Sequence, residues 1–182
     1  MLAKPVLKIV GLFQIPKILQ VLLRLLTHAS ILTAEELEAA GSVLGPEAVQ
    51  YPKVRIAEGG VMTLFRTINL PAKGHHPRRH LKLLVHEMVH VKQFEKVGSV
   101  YLAQVVRAQK TEGYKYGGWH GLAEKLPGGK RFSDCNREQE GHIAQDYYDD
   151  VLTAGPPSTD ERKQAFGPYI RTCRQGFSRL VG

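Results

Sequence analysis

The sequence predicts an α+β domain that is mostly helical and carries one small sheet. Two observations lead to this prediction: apolar residues recur at helical spacing along most of the 182 residues, and only the region 54–70 is rich in β-branched and aromatic residues. Hydrophobic residues make up 43% of the chain and charged residues 23%, as in globular proteins. One domain of this length can bury a substantial core.

We expect an apolar and basic helical segment over residues 1–29, followed by a single domain over residues 30–182. Charged and polar residues interrupt the segment, which therefore lacks the roughly 20 uncharged residues of a spanning helix. It also lacks the unbroken apolar stretch of a clear signal peptide, so we expect synthesis in the cytoplasm. The segment is predicted to pack on the domain, and contact with a membrane or a partner is the alternative.

The first elements of the domain are a capped helix and two strands. Thr33 is the predicted N-cap, Glu36 follows three residues later as in a capping box, and Gly41 is the predicted end of the helix. Alternating and β-branched residues at 54–56 and 61–70 predict strands on either side of a glycine turn.

A loop then leads to a long apolar helix at about 78–96, which Gly98 ends, and a second amphipathic helix is predicted at 99–110. The segment 113–129 holds six glycines and three tyrosine or tryptophan rings, so we expect a long irregular loop of functional importance.

Two further helices complete the chain. Asn136 is the predicted cap of a helix over 136–152, a turn follows at 154–159, and a last helical segment runs towards residue 179. No internal repeat or low-complexity tract interrupts the pattern.

The chain is basic, with a formal charge of +8. Such a balance suits nucleic acid, an anionic membrane or a polyanionic polymer. However, the densest basic groups, at 75–82 and 125–131, contain no interleaved aromatic residues of the kind that bind single strands. We interpret them as solvated loop charge, and nucleic acid is not the expected partner. Cys135 and Cys173 are too few for a disulfide framework, so they leave the compartment and their pairing open.

The most informative motif is His86-Glu87-Met88-Val89-His90, inside the long apolar helix. Two histidines four residues apart lie on one face of a helix, so both can bind one metal ion. Glu87 lies about 100° further round the axis, where it can take a proton from a water molecule instead of ligating. This is the H-E-x-x-H pattern of zinc hydrolases, in which the ion acidifies a water.

The surroundings of the motif favour a metal. The helix is apolar over most of its circumference and is therefore predicted to be buried. Two buried histidines and a glutamate without partners would cost several kcal/mol, and a metal ion removes that cost. The alternative is a core helix whose histidines are satisfied by backbone groups or by Glu87.

A catalytic zinc usually takes three protein ligands, so a third must come from elsewhere. A third histidine six residues after His90 is excluded, because that position is Lys96. The candidates on other elements are Glu112, His120, Glu138, Glu140 and His142. Glu138, in the first turn of the helix at 136–152, ranks only slightly above the others, because a first-turn glutamate is also explained by the helix dipole.

Three parts of the chain resemble, in matching order, the Vgr-related zinc metallopeptidase family, whose zincin-like domains occur beside type VI secretion and contractile injection systems. These parts are 32–36 with 54–56, then 84–93, and then 136–147, and the specific one is the H-E-x-x-H-V-x-Q segment. The resemblance covers residues 30 to 155 and implies a gluzincin-type fold. It also implies that His86, His90 and Glu138 hold zinc. His142 stands where a different polar residue is expected.

The resemblance implies a metallopeptidase that acts on a peptide or protein. It further implies an effector or toxin exported by a specialised secretion system, with a component of that system or an immunity protein as partner. Glu87 would be the general base, and the donor to the oxyanion would be one of Tyr114, Tyr116, His120 and Tyr147. Three alternatives remain: a non-catalytic docking domain of the apparatus, a DNA-associated metalloprotease, and a hydrolase of peptidoglycan or another amide.

Overall fold

The computed structural model describes residues 29–58, 61–71, 81–111, 113–125, 127–128, 131–154 and 160–175. The helical segment predicted for residues 1–29 therefore lies outside the described residues, except for Ala29 at its end. Within the described part, the α+β prediction is confirmed, because helices dominate and one three-stranded sheet is present. None of the helices described combines the length and apolar character needed to cross a membrane.

Six α-helices and three strands make up the described fold. The helices are α1 (Ala34–Leu44), α2 (Leu81–Val97), α3 (Val100–Lys110), α4 (Gly118–Lys125), α5 (Arg137–Tyr147) and α6 (Asp160–Gln175). The strands are β1 (Arg55–Glu58), β2 (Met62–Leu64) and β3 (Thr67–Leu70). Short 3-10 turns occupy Tyr51–Lys53 and Phe132–Asp134, and a π-helical stretch at Tyr148–Thr153 continues α5.

The sheet has the strand order β1-β3-β2. β1 and β3 are parallel, with Arg55 opposite Thr67, whereas β2 runs antiparallel to β3, with Thr63 opposite Ile68. β2 and β3 both contact α2, so the sheet covers one side of the helix that carries the histidine pair.

The prediction of one strand over 61–70 was wrong, because a tight turn divides the region into β2 and β3. Phe65 has a φ of 59°, in the left-handed region that L-residues rarely adopt. Its buried ring packs against Phe94 with centroids 5.1 Å apart, and Nε of Arg66 is 2.6 Å from Oε1 of Glu95. Both partners lie at the end of α2. Tertiary contacts therefore hold a turn whose sequence carries no glycine, asparagine or proline.

The capping box that begins α1 is confirmed. Oγ1 of Thr33 accepts a hydrogen bond from the Glu36 amide, and Oε2 of Glu36 accepts one from the Thr33 amide. The predicted end at Gly41 was wrong, since the helix continues to Leu44 and ends at Gly45, where φ is 99°. Val43 and Leu44 are completely buried, and their packing extends the helix past the glycine.

The glycine-rich segment is less irregular than predicted. It contains α4, which contacts α6 and buries the side chain of Leu122. A side-chain amine fixes the entry to this helix, because Nζ of Lys125 donates a hydrogen bond to the Tyr116 carbonyl. Glycine is required at position 121, where a Cβ would lie 2.9 Å from the same carbonyl oxygen.

The helix that carries the histidines, α2, lies at the centre of the fold. It contacts α1, α3, α5 and the sheet, and ten consecutive residues, 84–93, are buried. The predicted burial of this helix is confirmed. One of the ten is Lys92, whose ammonium group donates to the Cys173 carbonyl near the end of α6. A cation at a helix C-terminus is favoured by the helix dipole and satisfies an unpaired carbonyl. Cys135 and Cys173 do not form a disulfide with each other.

Candidate metal centre

Three buried side chains from two helices meet at one point. Oε2 of Glu138 lies 3.3 Å from Nε2 of His86 and 3.5 Å from Nε2 of His90. Each of the three residues is at most 5% exposed. Their ligand atoms all lie within 4.8 Å of one another. Imidazole and carboxylate are ordinary metal ligands, so this group can hold a metal ion.

Local sequence explains why the two helices present these groups together. The spacing of four residues puts both histidines on the face of α2 that packs against α5. Oδ1 of Asn136 accepts hydrogen bonds from the amides of Glu138 and Gln139, at 3.0 and 2.9 Å. This cap, which the sequence predicted, begins α5 and thereby sets Glu138 in its first turn.

The charges of the site are strongly coupled. Burial raises the pKa of the Glu138 carboxyl, but hydrogen bonds from His86 and His90 outweigh burial and bring that pKa well below its usual range. Burial lowers the pKa of His90, but bonding to Glu138 and the charge of Glu87 outweigh it, so the pKa of His90 is raised. The carboxylate is therefore ionised at neutral pH, which is the form that binds a cation.

Glu87 lies beside this group without joining it. The residue is 4% exposed, and its Oε2 is buried with no hydrogen-bond partner in the described part of the chain. Its charge helps to raise the pKa values of His90 and Tyr114. An unpaired buried carboxylate oxygen is costly, so a polar group from outside these side chains is expected to pair with it.

Glu138 has a different partner for each of its oxygens. While Oε2 faces the two histidines, Oε1 accepts a hydrogen bond of 2.7 Å from Nε2 of Gln109, on α3. Nε2 of Gln109 also lies 3.3 Å from the hydroxyl of Tyr114. The amide thus holds the carboxylate with one oxygen free for the metal site.

The two histidines are supported differently. Nδ1 of His90 is 2.8 Å from Oε1 of Gln93, whereas Nδ1 of His86 is buried with no hydrogen-bond partner in the described residues. The His86 ring lies against the backbone of α5, where a Cβ on Gly141 would be only 2.7 Å from Cε1 of the ring. The absence of a Cβ at position 141 therefore leaves the space that the His86 ring occupies.

The other candidate ligands take other positions. His142 packs edge-on against His86, with ring centroids 5.0 Å apart, but stands outside the group of three. Burial, followed by the charge of His86, lowers the pKa of His142. Glu140 accepts a hydrogen bond from Gln93, and His120 stacks on Trp119 in an exposed position. Glu112 lies outside the described residues.

Of the four candidate oxyanion donors, Tyr114 alone contacts the site. Its ring lies 6.2 Å from that of His86 and 4.8 Å from that of His142, and its side chain is 43% exposed. The hydroxyl of Tyr116 donates instead to Asp146, and the ring of Tyr147 packs on Phe166. His120 is held by its stacking on Trp119.

Sequence reasoning missed Gln109 altogether and gave Gln93 no role. Gln93 carried a detectable signal, because it lies three residues after His90 on the same helical face. For Gln109 the sequence holds no such signal, since its partner, Glu138, is 29 residues away on another helix. Comparisons of the chain with models of protein families, with curated proteins and with solved structures found no match.

Proposed function

We propose that this protein is a zinc-dependent metallopeptidase of the zincin-like type. The observation that carries the proposal is the convergence of His86 and His90 on one oxygen of Glu138, next to Glu87, whose buried Oε2 has no hydrogen-bond partner in the described residues. The H-E-x-x-H spacing and the resemblance to Vgr-related zinc metallopeptidases support the same conclusion. That resemblance also supports a role as an exported effector.

The distances from Glu138 to the two histidines are compatible with a zinc ion. Ligands bound tetrahedrally at 2.0–2.1 Å stand about 3.3 Å from one another. The two nitrogen–oxygen distances here are 3.3 and 3.5 Å. One carboxylate and two imidazoles also form a common ligand set for a catalytic zinc, with a further position left for water or substrate.

When bound, zinc would supply a Lewis acid that polarises the substrate carbonyl and acidifies a water molecule. The chain supplies the remaining chemistry. Glu87 accepts a proton from the attacking water as the oxygen–carbon bond forms. It then delivers that proton to the amine, which leaves as the carbon–nitrogen bond breaks. The unpaired Oε2 of Glu87 is the atom available for both transfers.

Tyr114 is our candidate for stabilising the developing oxyanion. It lies at the exposed edge of the site, and burial together with the charge of Glu138 raises the pKa of its hydroxyl. The hydroxyl therefore keeps its proton at neutral pH and can donate it in a hydrogen bond. Tyr114→Phe should reduce cleavage while zinc content stays at the parental level.

A pair of variants tests the proposal. Glu87→Gln should retain one zinc per chain, but its rate of cleavage of a peptide library should fall by a factor of about 100 or more. Glu38→Gln, which changes an exposed glutamate on α1, is the matched control and should cleave like the parent. Metal analysis and peptide mass spectrometry give the two readouts. Cleavage by Glu87→Gln at the parental rate would exclude Glu87 as the base. A His86→Ala variant that lacks zinc yet cleaves at the parental rate would exclude the metal mechanism.

A further inference from the structure

We propose that Gln93 is a positioning residue that determines which nitrogen of His90 faces the metal site, and that Glu140 and the Arg137 carbonyl hold Gln93 in the required orientation. The inference rests on the proposed function, because it concerns the same metal centre. It adds Gln93 and Glu140 to that centre, and the expected effect of these two residues is on metal affinity, which does not depend on a substrate.

A continuous network of hydrogen bonds extends from the Nδ1 side of His90. Oε1 of Gln93 lies 2.8 Å from Nδ1 of His90. On the other side of the amide, Nε2 of Gln93 donates to Oε2 of Glu140 at 2.8 Å and to the Arg137 carbonyl at 3.0 Å. Gln93 is 3% exposed and Glu140 is 4% exposed, so water does not compete for these bonds.

The orientation of the amide follows from the chemistry of its partners. A backbone carbonyl can only accept a hydrogen bond, so the group that faces Arg137 must be the NH2 of Gln93. The carbonyl oxygen of Gln93 must then face His90, and it too can only accept. Nδ1 of His90 must therefore carry a proton, which leaves Nε2, the nitrogen that faces Glu138, as the one that can ligate a metal ion.

A third helix, α3, also takes part in this hydrogen-bond network. Nη1 of Arg137 lies 3.2 Å from Oε2 of Glu140, and its Nε donates to Oε1 of Gln104 at 2.8 Å. The network thus runs from Gln104 on α3 through α5 to His90 on α2. It holds the ring of His90 with Nδ1 on Gln93 and Nε2 facing the site before any ion arrives, which lowers the cost of ordering the site.

His86 provides the internal contrast. Its Nδ1 has no hydrogen-bond partner in the described residues, so packing against Gly141 is what orients its ring. The two ligands from α2 are therefore unequal, and a loss of the hydrogen bond behind His90 is not compensated by a similar bond behind His86.

Two substitutions at position 93 separate positioning from structure. Gln93→Leu removes the acceptor, whereas Gln93→Glu keeps an acceptor for Nδ1 but loses the donor and places a second carboxylate beside Glu140. We expect Gln93→Leu to weaken zinc binding by about 10- to 100-fold. Gln93→Glu should bind zinc within a few-fold of the parent, although both variants should melt at lower temperature. Gln164→Leu, which changes an exposed glutamine on α6, is the control for the change of residue type.

Zinc affinity would be measured by competition with a chromogenic chelator, and stability by thermal unfolding of the metal-free proteins. In the zinc-loaded parent, the Nδ1 proton of His90 should exchange slowly enough to be observed by NMR, and Gln93→Leu should lose this signal. Parental affinity in Gln93→Leu, or equal weakening in both variants, would overturn the inference while leaving the metal centre intact. A parent that takes up no zinc would instead refute the proposed function, and this inference with it.

Discussion

Gln109 donates a hydrogen bond of 2.7 Å to Oε1 of Glu138, while the other oxygen of that carboxylate faces the two histidines. The two residues come from different helices, α3 and α5, so the docking of these helices determines how Glu138 is presented. A carboxylate held by one oxygen has the other directed into the metal site.

Removing this bond should weaken metal binding. Gln109→Leu leaves Oε1 of Glu138 without its donor, so the carboxylate is free to rotate away from the histidines. We expect a loss of zinc affinity of about 10-fold, at the lower end of the range for residues behind metal ligands. Lys110→Leu, at the next, exposed position of α3, is the control and should bind zinc as the parent does. Equal affinities in the two variants would show that Gln109 does not orient Glu138.

Two glycines inside helices offer a matched comparison. Gly141→Ala would place a Cβ 2.7–2.8 Å from three atoms of the His86 ring, which must then move out of the site. We expect this variant to lose stoichiometric zinc, as measured by metal analysis after gel filtration. Gly41→Ala meets no atom within 4 Å and should be more stable than the parent by about 0.5–1 kcal/mol, because alanine favours a helix. Full zinc content in Gly141→Ala would contradict the placement of the His86 ring.

Three buried tyrosines should make the protein sensitive to alkali. Burial is the main cause that raises the pKa values of Tyr51, Tyr101 and Tyr116 well above their usual range. In the unfolded chain each would ionise near pH 10. The free energy of unfolding that they contribute is therefore fully present below about pH 10 and decreases as the pH rises above it. Titration of tyrosinate absorbance should show these three groups ionising together with unfolding. Reversible ionisation of all seven tyrosines in the folded protein would contradict this expectation.

The turn between β2 and β3 should depend on packing more than on turn propensity. Asparagine adopts the left-handed conformation of Phe65 more readily than phenylalanine does, yet Phe65→Asn would remove a buried ring that packs on Phe94. We expect a loss of about 3 kcal/mol in the free energy of unfolding, as for other deletions of buried aromatic rings. Chemical denaturation measures this loss. A variant as stable as the parent would show that backbone conformation, and not the Phe65–Phe94 contact, determines the turn.

Local signals in the sequence were sufficient for much of the fold. The capping box of Thr33 and Glu36 and the cap at Asn136 both involve atoms within three residues of each other, so sequence pattern alone revealed them. The two helix and strand boundaries that were wrong, at Gly41 and over 61–70, were decided by burial of Val43 and Leu44 and by contacts with the end of α2. Neither kind of contact can be recognised from residues that are close together in the sequence.

By itself, the sequence determined the histidine pair and its neighbouring glutamate, because the helical repeat relates residues 86, 87 and 90 without reference to the rest of the chain. It also determined that their helix is buried, since its apolar residues cover most of the circumference. Tertiary structure decided which distant carboxylate meets the pair. Glu138 and Glu140 lie in the same first turn, and only the docking of α5 on α2 turns Glu138 towards the histidines and Glu140 towards Gln93. Side chains two positions apart on a helix point about 200° apart, so the rotation of one helix against another distributes their roles.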